Sequence, residues 1–168
     1  MLIPAAHVRR LDSLHALTSF PNNQQALRIE LKKKGAREAT VLLYHKFLVG
    51  SKVENYKLTI ADYEGPQDYD ALSYHNGEKF TIKKSMSERP DGDSCSKRLS
   101  GGWWFKDCNK ANLNGRKFEH ALELKTYKSL GITWHIKNKE ESYYYLYDSV
   151  EMKFRDDDYG FCTGAFKF

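Results

Sequence analysis

The chain has 168 residues, of which 40% are hydrophobic and 29% charged, with 11 Tyr, 9 Phe and 3 Trp. So many aromatics exclude a disordered chain, and the lack of a glycine period or heptad run excludes collagen and coiled coil. No apolar stretch reaches the roughly 18 residues of a membrane helix, so no membrane insertion is expected. The net charge of +5 comes from one segment, Arg28 to Lys57, which holds eight Lys/Arg against three Glu and includes Lys32, Lys33 and Lys34. An excess confined in this way is smaller than the usual nucleic-acid surface and reads as a solvated basic face, and no nucleic-acid partner is expected.

In chain order, Leu27-Arg28-Ile29-Glu30-Leu31-Lys32 alternates apolar and charged residues, the period of a half-buried strand. Gly35 ends it, and Ala39 to Val49, rich in Val, Leu, Tyr and Phe, reads as the partner strand of a hairpin. Tyr56 to Ile60 alternates again. Gly65-Pro66 marks a turn, Asp68 to Tyr74 reads as a short helix capped by Asp68, and Asn76-Gly77 is a second turn. Ser85 to Gly115 has the composition of a loop, interrupted by Trp103-Trp104-Phe105, which must be packed because three adjacent exposed aromatics would be costly. Ile132 to Ile136 and Tyr143 to Tyr147 read as strands, and Val150 to Phe154 as a closing strand. An aromatic tail with the acidic run Asp156-Asp157-Asp158 follows. Strands followed by a long irregular region make the fold class α+β.

The chain has three cysteines, Cys95, Cys108 and Cys162. None stands in a C-x-x-C or zinc-like cluster, so structural zinc is not expected. Spacing alone leaves two readings of Cys95 and Cys108: a disulfide across a loop, or two reduced thiols. His75, His120 and His135 are isolated and read as structural. No Ser/His/Asp or Cys/His order stands out and no phosphate loop is present, so no enzyme is expected. Residues 1–10 carry no signal-peptide pattern.

Several blocks resemble the fibrinogen C-terminal domain family. They are Gly50 to Ile60, Tyr63-Glu64-Gly65, Asp70-Ala71-Leu72-Ser73-Tyr74-His75-Asn76-Gly77, Gly101-Gly102-Trp103-Trp104-Phe105-Lys106-Asp107-Cys108, Ala111-Asn112-Leu113-Asn114-Gly115 and Val150 to Arg155. The resemblance implies a twisted antiparallel sheet with short helices plus a long loop-rich binding subdomain. It divides the chain into a non-matching segment 1–10, a partial family domain 11–155 and a tail 156–168. Leu11 to Thr18 looks like a block from well inside the family domain, so about the first third is expected to be missing, as in a fragment, a splice product or a truncated gene model. That would account for a secreted, extracellular module with no signal peptide in this chain.

The resemblance further implies a Cys95–Cys108 disulfide and a cis bond between Asp107 and Cys108. The family's calcium loop looks lost, with Lys84 and Met86 at carboxylate positions, so no cofactor or metal is expected: an ammonium repels the ion and a thioether is too soft. Lectin-type members hold acetyl groups in a pocket whose positions correspond here to Leu99, Asn109, Tyr127 and Lys128, with Asp107 beside them. Leu99 can pack a methyl and Asn109 can donate, whereas Lys128 replaces a small residue and would crowd the pocket. The expected function is an extracellular recognition module of lectin or innate-immunity type, binding glycans (acetylated ones included) or receptors. The alternatives are a matrix or growth-factor-like interaction domain with no sugar site, or a truncated product without function. Oligomerisation is expected through upstream segments or Cys162.

Overall fold

The computed structural model describes residues 5–83, 99–106, 109–127 and 130–158. Helix α1 (Ala5–Thr18) opens the fold. Leu11, Leu14, His15 and Thr18 share one of its faces at helical spacing. Leu11 and Thr18 are buried against the sheet, and Leu14 packs on the same core. The seam is polar as well as apolar. Thr18 Oγ1 accepts the Val49 amide at 3.0 Å, His15 Nδ1 lies 2.8 Å from the Val49 carbonyl, and the Tyr56 hydroxyl donates to Asp12 at 2.8 Å. The sequence reads poorly as a helix because Leu11 and Leu14 share this face with the polar seam residues His15 and Thr18.

Strands β1 (Gln25–Lys33), β2 (Thr40–Val49) and β3 (Leu58–Glu64) form an antiparallel meander. The last strand in chain order, β8 (Tyr147–Asp156), returns to pair with β1, giving the order β3-β2-β1-β8. β1 buries Leu27, Ile29 and Leu31 and turns Arg28, Glu30 and Lys32 outward, as its alternation requires. In β2 the buried residues are Leu42, Tyr44, Phe47 and Val49, which breaks the period of two between 44 and 47. A register shift resolves this: Leu27 pairs with Tyr44 but Gln25 pairs with Phe47, so one extra residue bulges at His45–Lys46 and Tyr44 and Phe47 both face inward. At the bulge His45 is held between Asp157 (2.7 Å) and Glu64 (2.9 Å), and these carboxylates keep its imidazole above its ordinary pKa. The basic segment occupies this sheet and its hairpin. Its charge is answered in part by Arg28–Glu30 and Lys34–Glu119 pairs.

The remainder is loop-rich, with short ladders: β4 (Thr81–Lys83) with β5 (Gly101–Trp103), and β6 (Ala111–Asn112) with β7 (Thr133–Trp134). A six-residue helix α2 (Ala121–Thr126) lies between the last two. Trp103 and Trp104 are 1% and 3% exposed, which meets the expectation that the aromatic triplet packs.

Three expectations are corrected. The segment Asp68 to Tyr74 forms only a 3-10 turn at Ser73–His75, and the carboxylate that receives its first amide is Asp70, at 3.1 Å from Ser73 N. Asp68 instead takes a left-handed φ of +67°. Tyr143 to Tyr147 is not a strand: Glu140–Tyr144 is a 3-10 turn and β8 begins at Tyr147. There, successive tyrosines satisfy different partners, which an alternating ladder would not allow. Ile132 to Ile136 contributes just the two residues of β7.

Candidate functional site

The centre of the loop region is a polar clamp around one buried histidine. His75 is fully buried. Its Nε2 accepts the Ala111 amide at 2.9 Å, so its Nδ1 carries the proton and donates to the Trp104 carbonyl at 2.8 Å. Burial lowers its pKa to about 4, and the charges of Lys106 and Lys110 act in the same direction. The imidazole is therefore a neutral staple between 104 and 111. Around it, Trp104 Nε1 donates to the Tyr56 carbonyl (2.7 Å), Asn112 Nδ2 to Ser100 O (3.0 Å), Asn114 Nδ2 to Gly102 O (2.8 Å) and Ser100 Oγ to Leu130 O (2.7 Å). Gly101 has φ +85°, and a Cβ there would fall 2.2 Å from the Asn114 carbonyl oxygen. These contacts hold 99–106, 109–115 and 130–134 as one rigid frame.

On this frame the expected ligand residues take different positions. Leu99 is 3% exposed and part of the core. Asn109 is 6% exposed, and neither its amide nitrogen nor its amide oxygen has a hydrogen-bond partner among the described residues. Tyr127 is half-buried and stacks on Phe118, with ring centroids 6.3 Å apart. Asp107, Lys128, Cys95, Cys108, Lys84, Met86 and Cys162 lie outside the described residues, as does the Asp107–Cys108 bond. No cluster of three or more His, Cys, Asp or Glu side chains occurs among the described residues. An apolar pocket of about 280 Å³ does occur elsewhere, between α1 and the sheet, lined by Leu11, Leu14, Leu27, Phe47 and Trp103, among others.

A second group has no counterpart among the sequence-based expectations. Lys106 Nζ and Lys110 Nζ stand 4.8 and 4.5 Å from the centre of the Tyr74 ring. Beside them His135 stacks on Tyr143 at 4.6 Å and 16°. Burial, and then the Lys110 charge, lower the His135 pKa, while Glu140 pulls it the other way. Lys106 also faces Glu78 at 3.8 Å. All five side chains of the group are partly exposed. The result is a ridge of two ammonium groups and three rings. In sequence the lysines stand two residues either side of Cys108, but Tyr74, His135 and Tyr143 arrive from distant segments, so no local motif announces them.

The family model of the fibrinogen beta and gamma chains' globular domain at the C-terminus matches residues 9–157. The chain belongs to the fibrinogen C-terminal domain family. Within this family it is 37% identical over 150 residues to tenascin-R of Gallus gallus, covering 86% of this chain and 10% of that protein. It is 32% identical over 153 residues to angiopoietin-related protein 7 of Bos taurus, covering 88% of this chain and 40% of that protein. The fibrinogen-like globe domain of human ANGPTL2 superimposes with a TM-score of 0.68 at 25% identity, over 88% of this chain and 64% of that one. The chain thus spans a tenth to two-fifths of these curated relatives. This fibrinogen-like domain is a recognition module.

Proposed function

We propose that this fibrinogen-like domain is a secreted, non-enzymatic module that binds acidic extracellular glycans through the Tyr74–Lys106–Lys110 ridge. The observation that carries the reading is the pair of ammonium groups over one exposed-edge tyrosine, with a second stacked ring pair alongside. Ammonium groups pair with sulfate or carboxylate, and ring faces accept the C–H face of a sugar. The anion also has a titratable neighbour: negative charge near Lys110 would offset that lysine's effect on His135. Calcium takes no part in this reading, because the ridge presents amines where calcium needs oxygens.

A heparin decasaccharide is the probe. The double variant Lys106→Ala/Lys110→Ala should bind about tenfold or more weakly, EDTA should change nothing, and the His135 pKa should rise on binding when followed by NMR. Undiminished binding in the double variant, or loss of binding in Lys32→Ala/Lys33→Ala/Lys34→Ala instead, would refute the ridge. Loss on chelation would refute calcium independence.

A protein-interaction domain with no sugar site is the second reading. The burial of Leu99 and Asn109 favours it, since neither side chain is open to an acetyl group. A matrix role of this kind would leave the ridge lysines indifferent to heparin.

A further inference from the structure

We infer that His75 is the positioning residue of the ridge and the point at which acid releases it; this rests on the reading of Tyr74, Lys106 and Lys110 as the binding site. Each ridge member is tied to this one imidazole by a short path. Tyr74 precedes His75 in the chain, and the two rings meet edge to face at 5.4 Å and 86°. Lys106 stands two residues beyond the Trp104 carbonyl that receives the Nδ1 proton. Lys110 immediately precedes the Ala111 amide that donates to Nε2. The Lys110 carbonyl in turn accepts the His135 amide at 2.7 Å, and His135 carries Tyr143 on its face. Tyr74, Lys106 and Lys110 all lie outside the strands. No sheet ladder therefore sets the spacing between the Tyr74 ring and the two ammonium groups, and contacts of this kind hold only within about 6 Å.

The same two hydrogen bonds make the ridge sensitive to acid. The charged and titratable neighbours of His75 are Lys106 and Lys110, which oppose its protonation, and Tyr74. Glu78 donates its amide to the His75 carbonyl at 3.2 Å, but its carboxylate is turned to Lys106 at 3.8 Å. Burial keeps the imidazole neutral down to about pH 4. Once Nε2 takes a proton there, it presents an N–H to the Ala111 N–H, and the bond that seats Lys110 is lost. The sign is diagnostic. A proton gained by His135 adds positive charge to the ridge and tightens an anion, so weakening in acid points to His75.

Binding of the heparin decasaccharide to the full chain, followed from neutral pH to about pH 4, tests this, because its sulfates stay ionised throughout. Tryptophan fluorescence monitors folding in the same samples. The wild-type chain should lose about tenfold in affinity as pH approaches 4 while still folded. His75→Gln supplies one donor and one acceptor and does not titrate, so it should bind within about threefold of wild type at pH 7 and show no acid loss. His75→Phe keeps a ring but neither bond, and should bind about tenfold more weakly at pH 7. A readout on the wild-type chain alone needs no variant to fold: the Tyr74 ring should shift the side-chain proton resonances of Lys106 and Lys110 upfield at pH 7, and these shifts should vanish as His75 titrates. Acid loss that persists unchanged in His75→Gln, full binding by a folded His75→Phe, or lysine shifts indifferent to the His75 titration would overturn the proposal. Heparin binding indifferent to Lys106→Ala/Lys110→Ala would instead overturn the glycan reading, and the lysine shifts would still decide whether His75 sets the ridge.

Discussion

An imidazole at position 75 joins two backbone segments that no apolar residue could join. It accepts from Ala111 and donates to Trp104, so both nitrogens are used and neither can be protonated further without breaking a bond. Its folded pKa of about 4 lies below the ordinary histidine value. The sign follows from proton counting. Above about pH 6.5 the ring is neutral folded and unfolded, and its contribution is fully present. As pH falls from there toward 4, the unfolded chain takes up a proton that the folded chain refuses, and stability falls by roughly 3 kcal/mol in all before levelling off. Urea unfolding across this window should show that slope. His75→Phe should lose about 2–4 kcal/mol at pH 7 by leaving two buried backbone groups unpaired, and should flatten the slope. An unchanged slope in the variant would assign the acid sensitivity elsewhere.

At the scale of elements, the bulge in β2 decides which way half a strand faces. Tyr44 and Phe47 are both buried although three residues apart, an odd step that a regular strand forbids. A regular ladder that kept Lys46 would turn Phe47 and Val49 out to solvent. Burial of two such side chains stabilises by about 3–6 kcal/mol, comparable to the whole stability of an ordinary domain. Deleting Lys46 instead removes the extra residue and leaves Phe47 and Val49 in phase with Tyr44, so the deletion is expected to keep its β-sheet signal in far-UV circular dichroism, as is Lys46→Ala at that exposed position, whereas Phe47→Asp should lose it. Helix α1 is joined to the same strand by the Thr18 hydroxyl at the Val49 amide, so the bulge also sets where the helix sits.

For the molecule as a whole, the sheet and the loop region share one core. Leu27, Ile29 and Tyr44 from the sheet belong to the same buried cluster as Trp103, Trp104 and Trp134 from the loops. Two regions that share a core should unfold together. Tryptophan fluorescence and far-UV circular dichroism should give coincident thermal midpoints. Two separated transitions would mean that the loop region is a unit of its own.

What the chain settles by itself is local. The alternation of Leu27 to Lys32 and of Val150 to Phe154 forces two-sided strands, because a period of two leaves no other way to bury one set of residues and solvate the other. The linked blocks around Trp103-Trp104 and Asn112-Leu113-Asn114-Gly115 specify the family, since their packing depends on those residue types. Tertiary structure decides the rest. Position 70 rather than 68 supplies the turn carboxylate because Asp70 is also held by the Tyr44 hydroxyl at 2.8 Å, across 26 residues of sequence. The tyrosines at 143 and 145 leave the strand pattern because one stacks on His135 and the other lies under Lys33, 3.9 Å from its ring centre. The ridge of Tyr74, Lys106, Lys110, His135 and Tyr143 is assembled from four separate stretches. Ring and charge contacts act over a few ångströms of space, and sequence distance carries no information about them until the protein has folded.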